Sequence, residues 1–287
     1  MNSVLKHELR THFHTLSTWL FMAFLLIFVG IGAMLYNIQS AVANFEYVLK
    51  FVCIGLVVII PVLTMRVFAE EKKQKTDQLL YALPLSASGI VLGKYFALLV
   101  IFLIPTAIIA VYPLIFSKFG EVYLLGSYGS MLAFFIMGAS LIAVGVFISS
   151  LTENQGFAAG IAIVLFLLNY FSVRLSEYIS TGVAGTVIAL AVLLLALAAI
   201  VYVLTKNSNA AYGTAALGAV GLIVVYLVDK SKLENLLPAL MSKLSFFERF
   251  YGFVDGVFDI GSIVFYLTVI IFFLFLTVQS LEKRRYN

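Results

Sequence analysis

Charge is what this sequence has least of. Asp, Glu, Lys and Arg make up 11% of its 287 residues, against roughly 25% in a soluble globular domain. So few charges cannot cover a surface facing water. With 63% hydrophobic residues, most of the exterior is expected to face lipid. Cysteine occurs once, as Cys53 within an apolar run; an internal disulfide is excluded, and the thiol reads as a small buried hydrophobe. The three histidines, His7, His12 and His14, are all near the N-terminus. His12 and His14 are two residues apart, a spacing that does not bring side chains together on a helix, so no metal site is expected there. HExxH is missing, and no histidine is available deep in the membrane to pair with serines such as Ser140; metalloprotease and intramembrane peptidase chemistry are set aside. There is no GxxxxGK[ST] loop, so the chain itself is not expected to hydrolyse ATP. No residue reads as catalytic, and no cofactor is expected on this chain.

What is present is a series of long apolar runs. A spanning helix needs about 20 mostly apolar residues, and backbone groups in lipid must be paired internally. These runs are apolar at both even and odd positions, which excludes barrel strands. Eight helices are expected, near 17–36, 49–69, 91–116, 127–150, 156–173, 182–205, 211–229 and 260–280. The first run lacks an A-x-A cleavage pattern and reads as a retained span rather than a signal peptide. The formal charge of +4 arises from basic residues between apolar blocks, where they set topology rather than bind nucleic acid. The densest clusters, Lys72, Lys73 and Lys75 and Lys283 to Arg285, fall on one side when both termini are cytoplasmic. The span centres hold almost no ionisable residues, which argues against a proton-driven carrier. Pro61 and Pro105 lie inside expected spans, and Gly156 and Gly160 have small-xxx-small spacing for close helix approach.

Three polar regions interrupt the spans. In Arg66 to Ala97, RVFAEEKKQKTDQLLYALPLSASGIVLGKYFA, residues 67–83 suit an amphipathic helix at the cytoplasmic surface. Leu79, Leu80 and Leu83 form its apolar patch and Pro84 ends it. Such a helix either docks on a partner or anchors at the interface. SSLTENQGF, Ser149 to Phe157, is a short connection, also cytoplasmic. The third region, about 229 to 259, is external in this topology. It reads as interfacial helices with Phe246, Phe247, Phe250, Tyr251 and Phe253 facing the acyl boundary. Arg249, Asp255 and Asp259 are candidates for an external polar cluster, either structural or on a substrate path.

The Arg66–Ala97 segment resembles the cytoplasmic segment between the second and third spans of ABC-2 type permeases. Arg66, Ala69–Glu71, Thr76, Leu79–Leu80, Leu83–Ser86 and Val91–Ala97 carry the likeness. SSLTENQ at Ser149–Gln155 is similar to the loop after that family's fourth span. FFERFYGFVDGVFDIGSIVFYLTVIIFFLFLTVQSLEKRR at Phe246–Arg285 resembles the gliding-motility-associated subgroup. The resemblance implies an all-α polytopic permease in the cell membrane: a six-span core plus a two-helix insertion. The core would occupy 1–173 with a coupling segment at 66–90, the insertion 174–235, and the interfacial helices and last span 236–287. It further implies a homodimer or heterodimer of permeases, exporting a substrate with ATP and Mg2+ bound in a separate cytoplasmic ATP-binding subunit. Glu70, Glu71, Thr76, Leu79, Leu80, Leu83 and Pro84 would couple to that subunit. The competing reading is a membrane scaffold or sensor that recruits a cytoplasmic partner and moves nothing.

Overall fold

The computed structural model describes residues 2–76, 86–179, 185–192, 194–195, 198, 208–209, 212–213, 216, 218–220 and 236–286. Every regular element among them is helical. α1 (Asn2–Phe13) precedes α2 (Leu16–Gly32), which passes directly into a π-helical segment, Ala33–Gln39. α3 (Glu46–Thr64) is followed after Met65 by α4 (Arg66–Gln74). Then come α5 (Ala87–Ile109), α6 (Tyr112–Phe116), α7 (Leu124–Leu151) and α8 (Gln155–Ile179). α9 (Leu236–Leu244), α10 (Phe246–Val254) and α11 (Ile260–Tyr286) close the chain.

Six helical stretches among the described residues are long and apolar enough to cross a membrane: Leu16–Gln39, Glu46–Gln74, Ala87–Phe116, Leu124–Leu151, Gln155–Tyr178 and Ile260–Arg284. They coincide with six of the eight expected spans. The other two, 182–205 and 211–229, fall largely outside the described residues. Pro61 and Pro105 lie within α3 and α5 as expected.

The internal contacts divide into two units, residues 1–168 with 249–287, and residues 169–248. In the first, α7 is central and packs against α3, α4, α5 and α11. Met137, Leu141, Ile142, Ala143 and Val146 on it are wholly inaccessible, as befits a helix apolar all round. Two glycines let its neighbours come close. A Cβ on Gly138 would lie 2.3 Å from Phe102 Cε1 of α5, and one on Gly145 would lie 2.3 Å from Thr64 Oγ1 of α3. Among the described residues the Gly156–Gly160 pair has no such role. Gly160 has nothing within 4 Å of an added Cβ, and Gly156 meets only Asn154 Oδ1 at 3.5 Å.

The aromatic stretch after residue 245 departs from expectation. Phe247 and Phe250 are fully buried and Phe253 is 3% exposed, so these rings face protein rather than acyl chains. Phe250 meets Phe134 of α7 edge-on at 5.9 Å between centroids, and Ser130 Oγ donates to Phe253 O at 2.9 Å. The amphipathic face of α10 thus found a protein surface where sequence pattern alone offered lipid.

In the second unit, Asn169 fastens the turn between α9 and α10. Its Nδ2 donates to Leu244 O at 3.1 Å and its Oδ1 accepts from Phe246 N–H at 2.9 Å. Ser245 Oγ accepts from Glu248 N–H at 3.2 Å and so begins α10.

Candidate functional site

The charged segment after the second span is a continuation of that span. Met65 keeps helical angles (φ −57°, ψ −29°) and its N–H bonds Pro61 O at 2.9 Å. α4 does not run on to residue 83. It stops at Gln74, where Lys75 turns left-handed (φ 57°). Lys75 N–H then bonds Lys72 O and Thr76 N–H bonds Glu71 O, at 3.2 and 3.0 Å. A left-handed cap of this kind usually carries glycine; a lysine there leaves no mark in the sequence pattern. Leu79, Leu80, Leu83 and Pro84 lie outside the described residues.

The start of α4 is held by the end of α7. Ser149 Oγ accepts from Phe68 N–H (3.1 Å) and Ala69 N–H (3.2 Å) and donates to Met65 O (3.0 Å). This satisfies amides that a helix beginning otherwise leaves open. Next to it, the buried Lys72 donates through Nζ to Ser150 O. Ser280 Oγ of α11 reaches the same carbonyl at 3.3 Å. Arg284 pairs with Glu153 at 2.7 Å, and this guanidinium holds the Glu153 carboxyl below its ordinary pKa. The Arg66–Ala97 and SSLTENQ segments therefore meet in one junction with the C-terminal end of α11.

A buried ion triad lies beside this junction. Lys94 of α5, its side chain 2% exposed, sits between Glu8 of α1 at 2.8 Å and Glu71 of α4 at 2.6 Å. Its Nζ also lies over the Phe68 ring, 5.4 Å from the centroid. Charge this deeply buried persists only when paired on more than one side. Gly93 permits the approach of α1, since a Cβ there would fall 2.9 Å from Val4 Cγ1. The triad borders a cavity of about 400 Å³ between α1, α2, α4 and α5, whose wall includes Glu70, Glu71 and Thr76 as well as His12 and Arg66. Burial lowers the His12 pKa below 6.5; Glu8 opposes that shift and Lys94 adds to it.

The structure thus brings Glu70, Glu71 and Thr76 together around one cavity. Three residues of the same end went unread as site residues: Glu8, Ser149 and Lys94. The last two sit in the conspicuous motifs. Glu8 has only the amphipathic pattern of NSVLKHELRTHF to signal it.

Arg249, Asp255 and Asp259 are only partly joined. Asp259 caps α11, accepting from Gly261 N–H and Ser262 N–H at 2.9 Å each and from Ser262 Oγ at 2.5 Å. These bonds, the serine hydroxyl's first, lower its pKa. Arg249 reaches Ser262 Oγ at 3.5 Å and lies over the Phe265 ring at 4.3 Å. Asp255 is exposed, at the turn that ends α10. No group of three or more His, Cys, Asp or Glu side chains placed to hold a metal occurs among the described residues.

A family model described as "ABC-2 family transporter protein" matches residues 2–181. That range takes in α1 to α8, the triad, the cavity and Ser149. It ends before Phe246–Arg285, the segment resembling the gliding-motility-associated subgroup. No curated protein matches the chain.

Proposed function

The chain belongs to the ABC-2 transporter family, and on that premise we propose that it is the permease subunit of an ABC exporter driven by a separate ATPase. ABC-2 permeases have no catalytic activity of their own and typically pair with a cytoplasmic ATP-binding subunit. ATP and Mg2+ are then bound by that partner. Two permeases form the membrane pathway, with both termini in the cytoplasm. The likeness of the C-terminal segment to the gliding-motility-associated subgroup supports that finer placement.

The observation that carries the proposal is the junction at Ser149. A displacement of α4 acts directly on α3, with which it is nearly continuous, and on α7, which is bonded to it. In the proposed cycle, closure of the ATP-bound partner presses on α4 and on the segment after it. The second and third spans then rearrange, exposing a pathway alternately or opening a lateral route. Glu70, half-buried at the cavity wall and in no ion pair among the described residues, is the carboxylate placed to meet basic groups of the partner. Glu71 is engaged with Lys94 and transmits load into α1 and α5.

The test is co-purification from native membranes followed by reconstitution in proteoliposomes. An ATP-binding subunit should be recovered at stoichiometric ratio, and Glu70→Gln should weaken both its retention and the transport-coupled part of its ATPase activity. Normal transport and normal stimulation in the Glu70→Gln, Glu71→Gln double variant would remove the coupling assignment. Recovery of the chain without any ATPase, where other transporter complexes stay intact, would remove the permease reading.

A further inference from the structure

We infer that the cavity between α1, α2, α4 and α5 binds a phosphate–ammonium zwitterion, the headgroup chemistry of an aminophospholipid. The inference rests on the chain spanning a membrane and is independent of any ATPase partner.

The first observation is a pair of opposite charges that face one cavity without joining. Arg66 and Glu70 are four residues apart on α4, a spacing that normally favours an ion pair. Both line the cavity, yet among the described residues neither forms an ion pair. Arg66 Nε is buried with no hydrogen-bond partner, a costly arrangement for a guanidinium N–H unless an acceptor arrives from outside the chain. Glu70 receives an amide N–H from Gln74 at 3.3 Å, a weak neutral partner for a carboxylate.

The second observation is the charge of the wall. Three carboxylates, Glu8, Glu70 and Glu71, face two cations, Arg66 and Lys94. Counting these five groups, the wall carries one net negative charge. A simple anion would satisfy Arg66 but be repelled by Glu70. A simple cation would leave Arg66 Nε unsatisfied. A zwitterion answers both, its phosphate on Arg66 and its primary ammonium on Glu70. About 400 Å³ lies within the roughly 300–1,000 Å³ common for small-ligand sites.

The third observation is access. Thr15 and Ser17 belong to the cavity wall, and Leu16 between them is 73% exposed. Trp19 and Leu20 follow at 55% and 54%, and Trp19 Nε1 donates to Phe13 O at 2.9 Å. α2 starts a membrane span at Leu16, so these side chains lie at the lipid boundary, the depth at which tryptophan collects. The mouth of the cavity is thus at headgroup level, which favours a lipid over a solute as the source.

The experiment uses the isolated full chain in nanodiscs holding equal parts of phosphatidylethanolamine, phosphatidylglycerol and phosphatidylcholine. Retained lipid is read by native mass spectrometry after gentle detergent release. The wild type is expected to retain phosphatidylethanolamine over the other two by about tenfold, the worth of one charge-assisted hydrogen bond. Glu70→Gln should abolish that preference while keeping a bound phospholipid. Arg66→Gln should lower retention of all three. Equal retention by the wild type, or a preference that survives Glu70→Gln, would overturn the inference; neither reading needs the Arg66 variant to fold. Soluble phosphoethanolamine separates the sources. Displacement of lipid by it would keep the zwitterion chemistry but assign a water-soluble ligand, and failure to displace an enriched lipid would assign the membrane. Because no ATPase is present, failure here leaves the permease reading untouched.

Discussion

Lys94 Nζ lies 2.6 Å from Glu71 Oε1, joining the third spanning helix to the extension of the second inside the protein. With Glu8 on its other side at 2.8 Å, the lysine is the point where three helices are tied by charge. Lys94→Met should destabilise the protein by about 3–5 kcal/mol, because two carboxylates, 11% and 23% exposed, lose their buried counter-ion. Adding Glu8→Gln and Glu71→Gln to that variant should recover most of the loss. Thermal unfolding in a fixed detergent checks both. A triple variant no more stable than the single would show that packing, not charge, is at stake.

Gly145→Ala forces a methyl against Thr64, where 2.3 Å is available. It should cost about 1–3 kcal/mol and loosen α7 from α3. Gly160→Ala, with nothing within 4 Å, should be close to neutral. The comparison is a melting temperature for each, and equal effects would contradict the packing described.

Ser149→Ala removes the acceptor of two amides at the start of α4. A loss of about 1–2 kcal/mol is expected. The local signature is faster hydrogen exchange at Phe68 and Ala69, measured by mass spectrometry, with exchange in α5 unchanged. Protection equal to wild type at those two amides would refute the capping role.

His12 makes stability depend on pH. Its folded pKa is lowered from 6.5 by burial, so the unfolded chain takes up a proton first as pH falls. The contribution is complete above 6.5 and is lost as pH drops through the lower folded value. Between pH 7.5 and 5 the wild type should therefore lose melting temperature, and His12→Gln should show a flatter profile over the same window. Parallel profiles would remove His12 as the cause.

The six described spans were legible because lipid imposes long apolar runs, and a run such as Leu124–Leu151 admits few other readings. The family was legible from two polar segments. The structure shows why those two go together: Ser149 of one holds the backbone of the other. The end of α4 was not legible, since a left-handed lysine at position 75 looks like any charged residue in a helix. The triad escaped notice because Glu8, Glu71 and Lys94 are far apart in the chain: Glu71 reads as a coupling residue, and nothing in the sequence marks Glu8 or Lys94 as its partners. The inward turn of Phe250 and Phe253 was hidden for a related reason. An aromatic face of a short helix suits lipid and protein equally well, and only the presence of Phe134 and Ser130 opposite decides between them.

The near-continuity of α3 and α4 has a mechanical side. From Glu46 to Gln74 the two form a rod of 29 residues, roughly 43 Å long at 1.5 Å per residue. Pro61, three residues short of the end of α3, and Met65 are the places where such a rod yields. At its far end Glu46 is clasped by Ser127 Oγ at 2.9 Å. A pivot of about 5° about one end would carry the other through roughly 4 Å over that length, more than the span of a hydrogen bond. Leverage applied at one membrane face would therefore be felt at Glu46 on the opposite face, with no ligand needed to carry the signal between them.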